Sequence, residues 1–387
     1  MNKENLKKFF IKFWERSYDF SQFCFLEKVL FYVFVFLEKI YNILFLINKI
    51  YKNNFAKKYK YNFKIISVGN ISAGGTGKSV LVQYLVKILE KNKKIAVISH
   101  GYKSEIEKTG KSFLVTNNIN NNFSENICLA SPDIIGDEAY MLFKNLSVPI
   151  VVGKNRKKSC DLLNMFFNKF NNNLDIAILD DAYQKFLIEK DFEILLLDAK
   201  HPLENGHCLP AGKLREKDYS RADVIILTHA DKLNLKQIEE SKNKVSLNFN
   251  QNNIFCAKHA FDGLYLNDKE LINIEKINHK KILAFAGIGD FSSFKNSLIN
   301  LNFDSLIFKE FVDHQDYLLK DIEALVLFYY SNNCEAIITT QKDWVKVSKY
   351  FDSQKYSQIN IYILKIKFEF LFNDEKKFLT ELKNNIL

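Results

Sequence analysis

The feature that most constrains the fold is a glycine-rich segment between an apolar run and an amphipathic run. Residues 72–79 have the sequence SAGGTGKS; they follow residues 63–68, which predict a strand, and precede residues 79–91, which predict a helix. Glycines in such a turn let backbone N–H groups converge on phosphate oxygens, and the positive end of the next helix adds to the attraction. The segment therefore predicts a phosphate-binding loop made of Ser72, Ala73, Gly74, Gly75, Thr76, Gly77, Lys78 and Ser79.

Two side chains of this loop have predicted roles. Lys78 is expected to reach the β- and γ-phosphates of a nucleotide, and the Ser79 hydroxyl is expected to ligate Mg²⁺. The strict pattern GxxxxGK[ST] has glycine at the position of Ser72, so the match is to a double-glycine variant of the P-loop.

Short β-branched runs alternate with longer helical runs from residue 63 onward. Largely apolar strands that alternate with helices predict parallel sheets covered on both faces, which is an α/β fold. The predicted helices are residues 79–91, 138–145 and 156–171. The predicted strands are residues 63–68, 95–99, 149–152, 175–179, 193–197, 223–228, 282–286, 336–339 and 361–366.

The first 60 residues differ from the rest in charge and hydropathy. Residues 1–64 carry 13 Lys and Arg against 5 Asp and Glu, which is +8 of the net charge of +10, so the chain lacks the uniformly basic composition of a nucleic-acid-binding protein. Uncharged apolar runs cover residues 29–37 and 40–47, each too short for a spanning helix of roughly 20 residues. The segment predicts amphipathic helices in the interface of an anionic membrane. Packing on the protein's own core is the alternative, and a spanning hairpin is a third.

Two acidic pairs stand at positions suited to Mg²⁺ or to proton transfer. Asp180 and Asp181 end the predicted strand 175–179, where P-loop proteins carry a Mg²⁺-binding acid; a solvated turn is the alternative. Asp137 and Glu138 open a predicted helix, where acids also stabilise the helix dipole. The six cysteines form no cluster, which excludes a zinc or iron–sulfur site built on cysteine pairs and a disulfide framework.

These motifs together resemble the tetraacyldisaccharide 4'-kinases of lipid A biosynthesis over most of residues 60–345. LPAGKLRE at residues 209–216 is the most specific match, since the family has LPAG-x-LRE. Residues 180–184, DDAYQ, are similar to its DDGFQ, and residues 136–139, GDEA, to its GDEP. His100 stands where the family's RGY has arginine. The later motifs are residues 287–289, 313–314 and 340–343, the last with Gln341 in place of Glu.

The resemblance implies two Rossmann-like α/β/α lobes with parallel sheets and a small β linker. Residues 1–60 would then be the membrane-interface helices, residues 61–235 the P-loop kinase lobe, and residues 236–387 the linker with the second lobe. The implied reaction transfers the ATP γ-phosphate to the 4'-hydroxyl of a tetraacylated glucosamine disaccharide 1-phosphate and gives lipid IVA. The family needs Mg²⁺ and works on the cytoplasmic face of the bacterial inner membrane. The implied partners are therefore a lipid substrate and an anionic membrane surface.

The resemblance also assigns site residues. Asp137 and His314 map onto the family's catalytic Asp–His pair, in which the carboxylate accepts the hydroxyl proton, and Lys78 acts with them on the transferred phosphate. The expected metal ligands are Ser79, Asp180, Asp181 and Glu216. The expected substrate contacts are Glu138, Arg156, Gln184 and Arg215.

A double-glycine P-loop ATPase that acts as a nucleotide-dependent membrane switch is the alternative function. That class carries a signature lysine where this chain has Ala73, and it does not account for the LPAGKLRE segment or for Asp137. Residues 228–231, THAD, weakly resemble a guanine-specificity motif, but their position predicts a strand end followed by a loop.

Overall fold

A computed structural model describes residues 3–117, 126–169, 171–313, 315–351 and 354–387. Its helices are α1 (Lys3–Arg16), α2 (Phe25–Ile50), α3 (Lys78–Leu89), α4 (Glu105–Thr109), α5 (Pro132–Ile135), α6 (Asp137–Asn145), α7 (Arg156–Lys169), α8 (Leu235–Ser246), α9 (Phe291–Ile299), α10 (Leu319–Ser331), α11 (Gln341–Phe351) and α12 (Asp374–Ile386). Its strands are β1 (Lys64–Asn70), β2 (Ile95–Ser99), β3 (Ser112–Thr116), β4 (Ile127–Leu129), β5 (Ile150–Gly153), β6 (Ile176–Asp180), β7 (Phe192–Asp198), β8 (Val224–Thr228), β9 (Ile254–Leu266), β10 (Glu270–Ile272), β11 (Lys281–Ala286), β12 (Ser305–Glu310), β13 (Ala336–Thr340) and β14 (Ile361–Phe370).

The chain divides into two compact units that interleave along the sequence. Unit 1 comprises Met1–Ile98, Arg156–Lys258 and Glu369–Leu387, and unit 2 comprises Ser99–Asn155 and His259–Phe368. These bounds differ from the sequential ranges 61–235 and 236–387, because the chain leaves unit 1 after β2 and returns to it at α7. The division into membrane-interface helices, kinase lobe and second lobe, with boundaries after residues 60 and 235, stays a prediction.

Unit 1 contains a parallel sheet in the order β8-β7-β1-β6-β2, with the start of β9 paired to β8. Its central strands are buried along almost their whole length, as expected for strands covered on both faces. Because parallel strands end at one edge, the last residues of β1 and β6, Asn70 and Asp180, lie at the same edge of the sheet. The loop after β1 opens at this edge.

Unit 2 contains a second parallel sheet, in the order β12-β11-β13-β14. The later part of β9 lies beside β14, and β10 pairs antiparallel with β9. The segment Ser99–Asn155 adds β3, which pairs with β4 and β5. The α/β fold class with mainly parallel strands is thereby confirmed.

All nine predicted strands are present, with ends that shift by at most four residues, and the three predicted helices appear as α3, α6 and α7. The three predicted helices do not include the amphipathic helix α8. A capping box between Asn234 and Gln237 starts this helix, and it buries Ile238 and Val245 two turns apart.

The N-terminal segment forms two helices that pack on the rest of unit 1, and α2 does so through one side. Phe13 of α1 and Phe31 of α2 are buried with Ala211 in a small aromatic cluster. The opposite side of α2 exposes a stripe at heptad-like spacing, in which Phe36 is 63% and Ile43 is 59% exposed. The prediction of an amphipathic helix is confirmed, and the alternative of core packing holds for its other face.

Helix α2 continues without a break through a π-helical turn, Tyr51–Phe55. The resulting stretch of 31 residues, Phe25–Phe55, is long and apolar enough by length and composition to cross a membrane. Each uncharged run is too short on its own, because Glu38 and Lys39 separate the two. In the structure Glu38 is buried against unit 1, so it does not interrupt the exposed apolar side.

Candidate functional site

The glycine-rich loop lies between β1 and α3, as predicted. Gly77 is the residue before α3 and has a φ of +80°, a conformation that side chains rarely adopt, so glycine is needed there. The Ala73 N–H donates to the Lys213 carbonyl at 2.8 Å, and the Arg215 N–H donates to the Ile71 carbonyl at 2.6 Å. The LPAGKLRE segment thus forms one wall of the loop and fixes its shape.

Three charged side chains meet at the open end of this loop. The Lys78 Nζ lies 3.5 Å from Asp181 Oδ1, and the Arg215 Nη1 lies 3.2 and 3.3 Å from the two Asp181 oxygens. Burial would raise the pKa of Asp181, but Lys78, Arg215 and Arg156 outweigh it and lower that pKa to about 2. Asp181 is therefore an ionised carboxylate that holds two cations beside the phosphate-binding loop.

The first acid of the pair, Asp180, ends β6 and is buried, and Arg156 lies behind it. Arg156 is only 3% exposed and donates to the Asp180 carbonyl. This contact supports the end of the strand. The role of Arg156 as a substrate contact stays a prediction.

A tight chain reversal shapes the LPAGKLRE segment. A Cβ atom on Gly212 would lie 2.1 Å from Asn205 Oδ1 and 2.3 Å from the His207 carbonyl oxygen, so only glycine fits there. The reversal sends the chain back past the loop and brings Arg215 to Asp181.

Glu216 and Gln184 form a hydrogen-bonded cluster under the loop. Gln184 donates both to the Asn70 carbonyl and to Glu216 Oε1, at 2.9 Å each. Arg221 forms a bidentate pair with the buried Glu216 carboxylate, with distances of 2.7 and 2.8 Å. Arg221 was not predicted as a site residue, because no motif contains it. The Arg221 guanidinium also lies 3.7 Å from the centre of the Tyr183 ring.

The N-terminal helices contact the same segment. Trp14 donates to the Pro210 carbonyl at 2.9 Å, and Tyr41 donates to the Arg215 carbonyl at 2.8 Å. Glu38 accepts from the Cys208 N–H at 2.8 Å and pairs with Lys217 at 2.9 Å.

His207 completes this anchor, since its Nδ1 lies 2.6 Å from Glu38 Oε2. Burial would raise the pKa of Glu38, but the contacts from Cys208, His207 and Lys217 prevail and lower it. Glu38 therefore ties α2 to the segment that shapes the nucleotide loop. In the sequence it appeared only as an interruption between apolar runs.

Asp137 and Glu138 lie in unit 2, at the first turn of α6. The preceding Gly136 has a φ of +86° and no room for a side chain, since a Cβ would lie 2.9 Å from the Tyr102 carbonyl oxygen. Asp137 Oδ2 lies 3.2 Å from Lys346 Nζ, and Glu138 Oε1 lies 3.4 Å from Lys342 Nζ.

A cavity of about 300 Å³ opens beside Asp137, with Lys103 and Lys108 among its lining residues. At the family's arginine position, His100 Nε2 lies 3.4 Å from Glu107. His314, the predicted partner of Asp137, lies outside the described residues.

The predicted site residues therefore fall into two groups. Unit 1 brings together the loop 72–79, Asp180, Asp181, Gln184, Arg215 and Glu216, and it buries Arg156 beneath them. Unit 2 holds Asp137 and Glu138. Within the part of the chain that the structure describes, no group of three or more His, Cys, Asp or Glu side chains is arranged to hold a metal ion by itself.

Comparison with known proteins gives the family. The model of the family described as tetraacyldisaccharide-1-P 4'-kinase (LpxK) matches residues 30–387. The chain belongs to this family. The LpxK match starts within α2, so it includes most of the helix that packs on the LPAGKLRE segment.

Similar proteins extend over nearly the whole chain. The tetraacyldisaccharide 4'-kinase of Halothermothrix orenii is 32% identical over 360 residues, which cover 88% of this chain and 89% of that protein. The enzyme of the same name from Desulfatibacillum aliphaticivorans is 32% identical over 351 residues, with coverage of 87% and 88%. A crystal structure of Aquifex aeolicus LpxK in complex with ATP matches with a TM-score of 0.66 and 26% identity over 91% of this chain and 98% of that one.

Proposed function

We propose that this protein transfers the γ-phosphate of ATP to the 4'-hydroxyl of a tetraacylated glucosamine disaccharide 1-phosphate, the reaction that gives lipid IVA. The observation that carries the proposal is the cluster of Lys78, Asp181 and Arg215 at the mouth of the P-loop, within a chain of the LpxK family. The Aquifex LpxK structure in complex with ATP supports ATP as the donor.

The chain's own groups have distinct tasks in this reaction. Backbone N–H groups of residues 72–79 hold the phosphates, and Lys78 and Arg215 offset the charge on the transferred phosphoryl group. The acceptor oxygen bonds to the γ-phosphorus while the bond from that phosphorus to the β,γ-bridging oxygen breaks, and ADP leaves. Asp137 accepts the hydroxyl proton, with His314 as its partner.

The donor set near the loop fits Mg²⁺. In phosphoryl-transfer sites this ion takes one or two protein oxygens, and phosphates and water complete its shell. Ser79 at the start of α3 and Asp180 or Asp181 at the end of β6 are oxygen donors of this kind. Both oxygens of Glu216 are engaged by Arg221 and Gln184, so its role as a ligand would need these contacts to change. When bound, Mg²⁺ would neutralise phosphate charge.

The mass of the lipid product tests the reaction. Purified protein with Mg-ATP and the disaccharide 1-phosphate should give a product heavier by one phosphate on the distal sugar. Lys78→Ala should abolish turnover, because the positive charge that offsets the charge on the phosphates is lost. Lys87→Ala is the matched control, since Lys87 lies on the exposed side of the same helix. ATP hydrolysis that leaves the lipid unchanged would instead favour the membrane switch.

We also propose that the exposed side of α2 docks on an anionic membrane, at the cytoplasmic face where ATP is available. The acyl chains of the substrate stay in the bilayer, so the enzyme must approach the surface. Phe36, Ile43 and Ile47 lie on the exposed side of the helix, and the net charge of residues 1–64 is strongly positive.

Vesicle co-sedimentation tests this docking. The triple variant Phe36→Ser, Ile43→Ser, Ile47→Ser should lose binding to anionic vesicles, because these mainly exposed side chains supply the apolar area of the docking surface. The control is Leu235→Ser, Leu247→Ser, which removes two exposed apolar side chains elsewhere in unit 1. Unchanged binding of the triple variant would place the docking surface elsewhere.

A further inference from the structure

Unit 2 contains a nearly buried lysine that has no role so far in the proposed reaction. The side chain of Lys346, on α11, is only 9% exposed, and its Nζ lies 3.2 Å from Asp137 Oδ2. The same Nζ donates to the Gln315 carbonyl at 3.1 Å. Gln315 follows His314 in the sequence. One ammonium group therefore binds the proposed base and the backbone next to its proposed partner.

Lys346 belongs to a face of α11 that holds the segment 315–317. Asp343 Oδ1 accepts from the Tyr317 hydroxyl at 2.9 Å, and the Tyr350 hydroxyl donates to the Tyr317 carbonyl at 2.9 Å. Positions 343, 346 and 350 lie on one side of a helix, at i, i+3 and i+7. This side therefore fixes the segment at three points.

The start of α11 is itself rigidly held. Asp343 is fully buried; it accepts from the Gly287 N–H at 3.1 Å and from the Thr340 hydroxyl at 2.6 Å. These residues belong to the motifs at 287–289 and 340–343. The motifs thus gain a structural explanation: they set the position of the helix that carries Lys346.

Burying an ammonium group is costly unless hydrogen bonds and an opposite charge offset it. Asp137 and the Gln315 carbonyl provide both. An ion pair kept for stability alone could be replaced by two apolar side chains at little cost. The place of Lys346 on the one carboxylate assigned to proton transfer points to a role in the reaction.

We propose that Lys346 is a positioning residue, which holds the Asp137 carboxylate in the orientation that accepts the acceptor hydroxyl proton. This inference rests on the proposed function of Asp137. A general base contributes only when its oxygen is within hydrogen-bond reach of the proton, and small misplacements cost large factors in rate. Without Lys346, the carboxylate rotates among several rotamers and is productive for a fraction of the time.

A double-mutant cycle with Asp137 tests this role. Lys346→Met should lower kcat by about 10- to 100-fold, since part of the factor supplied by a general base is lost. The KM for ATP should stay within twofold, because the P-loop belongs to unit 1. Lys346→Arg, which keeps the charge, should recover part of the lost kcat. In an Asp137→Asn background, the Lys346→Met change should cause no further loss.

The matched control is Lys349→Met, one turn further along α11. Lys349 pairs at 3.8 Å with the exposed Asp133 and should be dispensable. If Lys346→Met does not fold, Lys346→Gln takes its place, because it retains a donor for the Gln315 carbonyl and lacks the charge. Thermal melts identify which variant is folded.

Each result has a distinct meaning. A kcat within twofold of wild type for the folded neutral variant, or an equal fold-loss in the Asp137→Asn background, would overturn the role of Lys346. Wild-type protein that forms no phosphorylated lipid would instead contradict the proposed function. Full activity of Asp137→Asn would contradict the assignment of the base, whatever Lys346 does.

Discussion

Arg221 provides the sharpest test of how unit 1 is held together beneath the nucleotide loop. Its guanidinium forms the bidentate pair with Glu216, donates to the Tyr183 carbonyl at 3.1 Å and lies over the Tyr183 ring. Arg221→Met removes the cation and leaves a buried carboxylate without its main partner. We expect a large decrease in the free energy of unfolding of unit 1, with little change in its folded structure.

The magnitude follows from the burial of the pair. Removing one partner of a buried ion pair costs about 3–5 kcal/mol, and the lower end applies because Arg221 is 21% exposed. For a unit of about 220 residues, each kcal/mol lowers Tm by roughly 2–4 °C. A loss of about 3 kcal/mol therefore lowers Tm by roughly 6–12 °C.

The two tryptophans of the chain allow this unit to be followed separately. Trp14 belongs to unit 1, where it donates to the Pro210 carbonyl, and Trp344 is buried in unit 2. In a Trp344→Phe background, tryptophan fluorescence reports unit 1, and thermal and urea unfolding can be compared between variants. Lys64→Met is the control, since it removes an exposed ion pair with Asp191 that should contribute at most about 1 kcal/mol.

The double variant Arg221→Met, Glu216→Met separates a buried charge from lost packing. With both charges gone, most of the stability should return, because apolar side chains can replace a buried ion pair. Gln184 keeps its hydrogen bond to the Asn70 carbonyl in this variant. A Tm shift below 2 °C for the single variant, or a double variant no more stable than the single one, would refute this account.

Two further predictions concern charges in unit 1. The pKa of Asp181, about 2, lies below the value near 3.9 of an unfolded chain. The stability that this carboxylate contributes is therefore complete above about pH 3.9 and disappears as the pH falls toward 2. Urea midpoints measured from pH 5 to 2.5 should fall less steeply for Asp181→Asn than for wild type, and equal slopes would contradict this. Glu38→Gln loses its ionic contacts with Lys217 and His207, at a cost of about 1–2 kcal/mol. Hydrogen exchange of residues 207–217 should then accelerate. The control is Glu27→Gln, which removes an ion pair with Arg16 of α1 and should leave that exchange unchanged.

The sequence predicted the elements that depend on local pattern. The nine strands follow from short apolar runs, and the helix after the loop follows from glycines at required turns. Each of these signals occupies ten residues or fewer, so it can be recognised without knowing the fold. β9 was missed because Lys258, His259 and Asp262 interrupt its apolar pattern. β12 was missed because most of its side chains are only half-buried, so its composition resembles a surface segment.

The site residues also divide into those that a local pattern reveals and those that it does not. Residues in recognisable motifs, such as Lys78 and Asp181, were placed together as expected. Glu38, Arg221 and Lys346 were not identified, because each gains its importance from partners that only the fold brings near. Glu38 and Cys208 lie 170 residues apart in the chain, and no local pattern links them.

The anchoring of α2 has a consequence for the order of events during synthesis. The helix leaves the ribosome well before residues 207–217, which are made about 160 residues later, on the order of ten seconds at ordinary elongation rates. Throughout that interval Glu38 and Tyr41 lack the partners in residues 207–217 that they contact in the folded protein. In the proposed docking, the exposed side of α2 can therefore bind lipid before residues 207–217 are made and before the anchor to them forms.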